Sequence, residues 1–227
     1  MPTRARARDA VLRGRVTIDG QVAKKPGQTV AESAALTANA LPFVSRGGEK
    51  LAHALTRFAV PVAGRRAIDV GASTGGFTQV LLGAGAAAVI ALDVGHGQLA
   101  PSVADDPRVH AMEGVNARHL RADQLPFVPD LAVIDVSFIS LRLVLGPVFA
   151  ALAPAADVIA LVKPQFEVGR EAIGKGGIVT DETAAAAAVA GIAAVFGDAG
   201  FCVVGQAPSP ITGGDGNAEV LLAAERR

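Results

Sequence analysis

The 227-residue chain has no tryptophan, no tyrosine and one cysteine, Cys202. A lone cysteine cannot close an internal disulfide, so stability must come from a buried core, and a reducing, cytoplasmic setting is expected. Without Trp or Tyr, any ring stacking must use the nine phenylalanines, or histidine or arginine. Long apolar runs are also missing. Leu143 to Ala156 comes nearest, but it is shorter than the roughly 18 residues of a membrane-spanning helix and contains Pro147 and Pro154. The N-terminal Met-Pro-Thr-Arg-Ala-Arg has no apolar stretch behind its charges, unlike a secretory signal. No membrane partner is expected.

Net charge is zero, but its distribution is uneven. Residues 1 to 25 hold Arg4, Arg6, Arg8, Arg13, Arg15, Lys24 and Lys25 against Asp9 and Asp19, a balance of +5, which leaves −5 on the rest. A basic end without bulky apolar neighbours suits a nucleic-acid arm better than a membrane patch. Arg4, Arg8, Arg13, Lys24 and Lys25 are its candidate phosphate contacts, and a plain solvated terminus is the alternative.

Residues 4 to 14 have helical composition, and Asp19-Gly20 between short β-prone runs predicts a hairpin. Residues 31 to 43 read as a linker. Ser45-Arg46-Gly47-Gly48-Glu49-Lys50 then opens an amphipathic helix through Leu51, Leu55 and Phe58. From residue 65 the pattern alternates. Strands are expected at 67–70, 87–93, 109–112, 131–135 and 158–162, with a helix over 77–82 and an alanine-rich one over 181–197. Two last strands, 200–205 and 218–223, would close the sheet. This order predicts an α/β fold, a doubly wound, mostly parallel, Rossmann-like sheet with a closing antiparallel hairpin and a small N-terminal helix-hairpin module.

The clearest motif is Asp69-Val70-Gly71-Ala72-Ser73-Thr74-Gly75-Gly76-Phe77, between a strand and a helix. It lacks the Gly-Lys-Ser/Thr of a phosphate loop and the G-x-G-x-x-G of a dinucleotide site. Asp93 follows at the end of the next strand, where a carboxylate can accept hydrogen bonds from a ribose diol. A ligand with ribose but no pyrophosphate fits, and S-adenosylmethionine is one. Backbone at Gly71, Gly75 and Gly76 would approach it closely, with Asp69 near its amino group. Further along, Asp135 and Lys163 end apolar strands and Glu219 starts one, so all three can share the ligand edge. Each alone could be a structural ion pair; together they point to chemistry.

The stretches VSRGGEKL (44–51), DVGASTGGFT (69–78), ALDVGHGQL (91–99), DVSFISL (135–141), LVKPQFEVGR (161–170), GKGGIV (174–179) and PSPITGGDGNAEVLL (208–222) resemble the hemolysin-A-like family of ribosomal-RNA 2′-O-ribose methyltransferases. Those proteins join an RrmJ/FtsJ-type catalytic domain to an N-terminal alpha-L RNA-binding module. The resemblance implies a Lys-Asp-Lys-Glu tetrad at Lys50, Asp135, Lys163 and Glu219, with Lys163 as the base. A ribose hydroxyl is a poor nucleophile until its proton is removed, so a placed base is needed. It also implies S-adenosylmethionine along 69–77, including Ser73, Thr74 and Phe77, with Asp93 on the ribose and Glu113 or Asn116 near the adenine. No metal is called for. The substrate implied is ribosomal RNA or a ribosomal subunit, with cytidine as the target.

The expected domains are a partial RNA-binding module at 1–30, lacking the family's preceding helix, and a catalytic domain at 44–227. Arg46 is a candidate phosphate contact. Phe138 and Phe166 are candidates for base stacking, but core packing is the expected role of each. An Asp-Val-Ser-Phe at 135–138 departs from the Asn/Asp-Pro-Pro-aromatic signature of base amino-methylating enzymes. A non-catalytic RNA-binding or ribosome-assembly protein is the competing reading. A hemolysin is the third, and the chain has no basic amphipathic helix with bulky apolar residues to support it. Nothing in the sequence sets the oligomeric state.

Overall fold

The computed structural model describes residues 4–12, 14–39 and 42–227, so Arg13 and its expected RNA contact lie outside the described residues. The chain divides into two compact units, Met1–Pro42 and Phe43–Arg227.

The first unit holds helix α1 (Arg4–Leu12) and strands β1 (Val16–Ile18), β2 (Gln21–Val22) and β3 (Leu36–Ala38) in the order β2-β1-β3. Asp19 and Gly20 both have positive φ, 49° and 79°, as a tight two-residue hairpin turn requires. Strand β3 corrects the expectation that 31–43 is a linker. It pairs antiparallel with β1, Thr37 opposite Thr17, and Asp19 Oδ1 accepts the Ala35 N–H at 2.8 Å. Leu36, Thr37 and Ala38 are all exposed, so no apolar alternation announces the strand. Arg4, Arg8, Lys24 and Lys25 are exposed on this unit.

The second unit comprises α2 (Gly47–Phe58), β4 (Arg66–Val70), α3 (Gly76–Gly83), β5 (Ala88–Asp93), α4 (Pro101–Ala104), β6 (Val109–Glu113), β7 (Leu131–Ile134), α5 (Arg142–Ala151), β8 (Ala156–Val162), α6 (Glu182–Asp198), β9 (Cys202–Pro208) and β10 (Val220–Arg226). The sheet order is β6-β5-β4-β7-β8-β10-β9. The first five strands are parallel, and β10 runs antiparallel to both β8 and β9. The closing strands each begin two residues later than the sequence suggests, which leaves Glu219 just ahead of β10.

Strands covered on both faces read as continuous apolar runs, and β7 and β8 are buried at every position. Their side chains alternate between two cores. Ile68, Ile134 and Val158 face α5 and α6; Ala67, Val133 and Ile159 face α2 and α3. Between β7 and β8 the sequence leaves helix or loop open, because Gly146 and Pro147 interrupt the run. Burial of Val144, Leu145, Val148 and Phe149 secures helix α5 there.

On the α6 side Phe196, fully buried, lies 5.1 Å from Phe149 and 6.2 Å from Phe201 between ring centroids. Phe196→Ala should therefore cost about 3–5 kcal/mol, measured as a fall in the urea midpoint. A loss near zero would mean that this cluster does not carry the core.

Asp69 on β4 is wholly buried, and its Oδ2 accepts the Thr78 hydroxyl at 2.6 Å. Oδ1 has no hydrogen-bond partner among the described residues. Burial, with the Asp135 and Asp93 carboxylates nearby, pushes the carboxyl up to about 7 against the pull of Thr78. Between roughly pH 4 and this value the folded protein binds more protons than the unfolded chain, so stability falls as pH rises. We expect this group to make the protein roughly 2–3 kcal/mol more stable at pH 5 than at pH 8. Asp69→Asn should flatten that difference in urea titrations at the two pH values; an unchanged slope would assign the titration elsewhere.

Candidate active site

Strand order reverses on either side of β4, which opens a crevice at the carboxyl edge of the sheet. Gly71, directly after β4, has φ 89°, and a Cβ there would stand 2.3 Å from the Asp135 carbonyl oxygen. Only glycine satisfies both demands. A cavity of about 470 Å³ opens beside it. Ser73, Asp93, Gln98, Asn116, Asp135 and Ser137 form its polar lining, and Val94, Val115, Ile139 and Val144 its apolar wall. A second cavity of about 200 Å³ adjoins it, sharing Gly71, Ser73, Asp135 and Ser137, and reaches Lys163.

Asp93 organises the rim. Its Oδ2 accepts the Ser73 N–H and its Oδ1 the Gly95 N–H, both at 2.8 Å. Ser73, Thr74, Gly76 and Phe77 line the smaller cavity. Gly75 lines neither; a Cβ there would press on Val103 at 2.9 Å, so its smallness serves packing. Asp69 also lines neither, because β4 alternation turns it toward Thr78. Glu113 likewise misses both cavities. It accepts the N–H groups of Gly97 at 2.8 Å and Gln98 at 3.2 Å. The Gly97 N–H above all, with Gln98 and the nearby His96, holds this carboxyl below the usual range. Asn116 does line the larger cavity, while its Oδ1 accepts the Arg118 N–H at 3.0 Å.

The four tetrad positions come together as two ion pairs. Lys50 on α2, 7% exposed, bonds Glu219, 4% exposed. Lys163, 8% exposed, lies 2.6 Å from Asp135 Oδ1. Among the described residues that oxygen has no partner of normal hydrogen-bond geometry, and the contact is an ion pair. The Lys163 amine donates to Ser137 Oγ at 2.7 Å. Asp135 and Lys163 line the smaller cavity; Lys50 and Glu219 do not. The register that sets Val220 opposite Val162 carries Glu219 and Lys163 to the same edge. Arg46 adjoins the turn before Glu219, since a Cβ on Gly214 would approach its guanidinium at 3.4 Å.

Phe138 is 88% exposed and has φ 63°, which excludes core packing for this ring. A bulky residue in the left-handed region costs on the order of 1–3 kcal/mol, and such strain clusters at functional sites. Its ring lies 5.4 Å from that of Phe166. Reading the sequence missed Ser137, Gln98 and Ser45 as lining residues. Ser137 alone had a local signal, two residues after Asp135.

The comparisons with known proteins agree with this geometry. Residues 43–226 match the FtsJ-like methyltransferase family model, and residues 2–36 match the S4 domain model. The chain is 46% identical over 223 residues to the 16S/23S rRNA (cytidine-2′-O)-methyltransferase TlyA of Mycobacterium tuberculosis, covering 97% of this chain and 83% of that protein. It is 36% identical over 221 residues to Hemolysin A of Brachyspira hyodysenteriae, covering 96% and 92%. A solved Streptococcus thermophilus structure, 42% identical, superposes with a TM-score of 0.83 over 100% of this chain and 84% of that one. An S-adenosylmethionine-dependent methyltransferase from Mesorhizobium loti, 17% identical, gives a TM-score of 0.52 over 77% and 96%, a likeness of fold alone. With the glycine loop, the strand-end acids and the doubly wound sheet all accounted for, the chain belongs to the FtsJ-like methyltransferase family.

Proposed function

We propose that this protein methylates a ribose 2′-hydroxyl of ribosomal RNA, on a cytidine, with S-adenosylmethionine as donor and Lys163 as base. One observation carries the reading: the Lys163 amine is held by Asp135 and Ser137 where a cavity suited to a nucleoside meets a second opening. The name of the Mycobacterium tuberculosis relative supports cytidine and ribose as targets, and the match to an S4 model supports RNA as the partner. A ribosomal substrate fits a cytoplasmic site of action. Among the described residues no helix is long and apolar enough to cross a membrane.

The residues fit the donor. The larger cavity has two carboxylates, Asp93 at the polar end and Asp135 where it meets the smaller cavity, and an apolar wall beyond, with Gly71 allowing close backbone approach. Asp93 would accept from a ribose diol, and Gln98 and Asn116 would meet the edge of the base. When bound, S-adenosylmethionine supplies a methyl group on a positively charged sulfur. The rest falls to the protein. In its neutral amine form, after losing its own proton to solvent, Lys163 takes the proton of the 2′-hydroxyl, while Asp135 and Ser137 fix the direction of its amine. Lys50 and Glu219 neutralise each other behind the site. The exposed Phe138 ring is available to stack on the target base.

Lys163→Arg keeps the positive charge but cannot act as a base. We expect it to bind donor and RNA as the wild type does and to lose about 10²–10⁴-fold in transfer of labelled methyl to ribosomal RNA. Full turnover would overturn the assignment. Phe138→Ala should weaken use of RNA about tenfold or more through lost stacking and leave donor affinity unchanged. Equal loss of donor affinity in a calorimetric titration would place that ring elsewhere.

A further inference from the structure

Glu167 lies outside both cavities and outside the tetrad, yet it ties together the two loops that carry Asp135 and Lys163. Its Oε2 accepts the Ser140 hydroxyl at 2.6 Å, and its Oε1 accepts the Leu141 N–H at 2.7 Å. Leu141 is the N-cap of α5, and its own side chain makes no capping bond. A carboxylate from another segment therefore supplies what the helix start lacks. Glu167 is itself set by a short turn after Lys163, where its N–H donates to the Pro164 carbonyl at 2.9 Å.

These bonds complete a row of contacts between the loops. Asp135 and Ser137 meet Lys163, Phe138 meets Phe166, and Ser140 with Leu141 meets Glu167. The left-handed Phe138 lies inside this row, braced on the Ser137 side by Lys163 and on the Ser140 side by Glu167. A strained, exposed residue persists only where its surroundings over-determine it. Without Glu167, the brace on one side is lost.

We propose that Glu167 is a positioning residue. It latches the Asp135–Leu141 loop to the Lys163 segment, and so holds Ser137 and the Phe138 ring in the places where they serve methyl transfer. The role in transfer rests on the function proposed above. The latch itself is a property of the fold and can be read without activity.

Hydrogen–deuterium exchange of the full chain reads it directly. In Glu167→Ala, amides 137–142 should exchange about tenfold faster or more while those of β7 and β8 keep their protection. Glu167→Gln, which retains one carbonyl acceptor, should restore part of the protection, and Ser140→Ala should loosen the same segment. These two milder variants carry the test should Glu167→Ala fail to fold. Unchanged exchange at 137–142, or loosening spread evenly through the sheet, overturns the latch. In methyl transfer, Glu167→Ala should lower kcat about 10–100-fold at saturating donor, with donor Kd within about twofold of wild type. Added to Phe138→Ala, it should cost a smaller factor than it does alone, because the two act through one element. Losses that multiply, or that follow donor affinity, overturn the positioning role. If the wild type methylates something other than ribose, the proposed function fails while the exchange experiment still decides the latch.

Discussion

The close approach of Gly71 to the Asp135 carbonyl is the constraint on which the site depends. It sets how near the loop after β4 can come to the loop after β7, and both cavities border these two residues. A side chain at 71 would have to push the loops apart, against a φ that already disfavours one. Asp93 then fixes the other flank by taking one N–H from the loop after β4 and one from its own loop. The larger cavity is thus bounded by backbone held from both sides. This is the preorganisation that binding a nucleoside requires.

The charges on the carboxyl edge follow the same economy. Two buried lysines would be costly alone, and each has a carboxylate within reach: Glu219 for Lys50 and Asp135 for Lys163. Buried ion pairs are weak evidence of stability, since desolvation consumes much of what attraction returns. Their placement is more informative. The Lys50–Glu219 pair is closed away from the cavities, whereas the Asp135–Lys163 pair lines one and shares its amine with Ser137. In the function proposed above, the lysine that faces the opening is the one that takes the proton.

Much of this was legible in the sequence, for identifiable reasons. Parallel strands buried on both faces leave continuous apolar runs, so β4, β5, β7 and β8 could be read directly, and Asp135 and Lys163 could be placed at the ends of the last two. Strand β3 could not be read, because it is exposed throughout and exists through pairing with β1 some twenty residues away in the chain. Helix α5 was left open by Gly146 and Pro147, whose local cost is outweighed by tertiary burial. The motif position of Asp69 does not show which face of β4 it occupies; the strand period turns it to Thr78. Glu113 holds the Gly97–Gln98 turn by bonds across sixteen and fifteen residues, which no local pattern announces. Ser137 and Glu167 act by loop-to-loop bonds, which leave no periodic trace.

The central claim is that the chemistry falls on a ribose hydroxyl. Ribosomal RNA methylated by the purified protein, digested to nucleosides and resolved by mass spectrometry, tests it most directly. The account predicts a methyl group on the sugar of cytidine, released as 2′-O-methylcytidine. A methyl group on the base, or none on RNA at all, would contradict it.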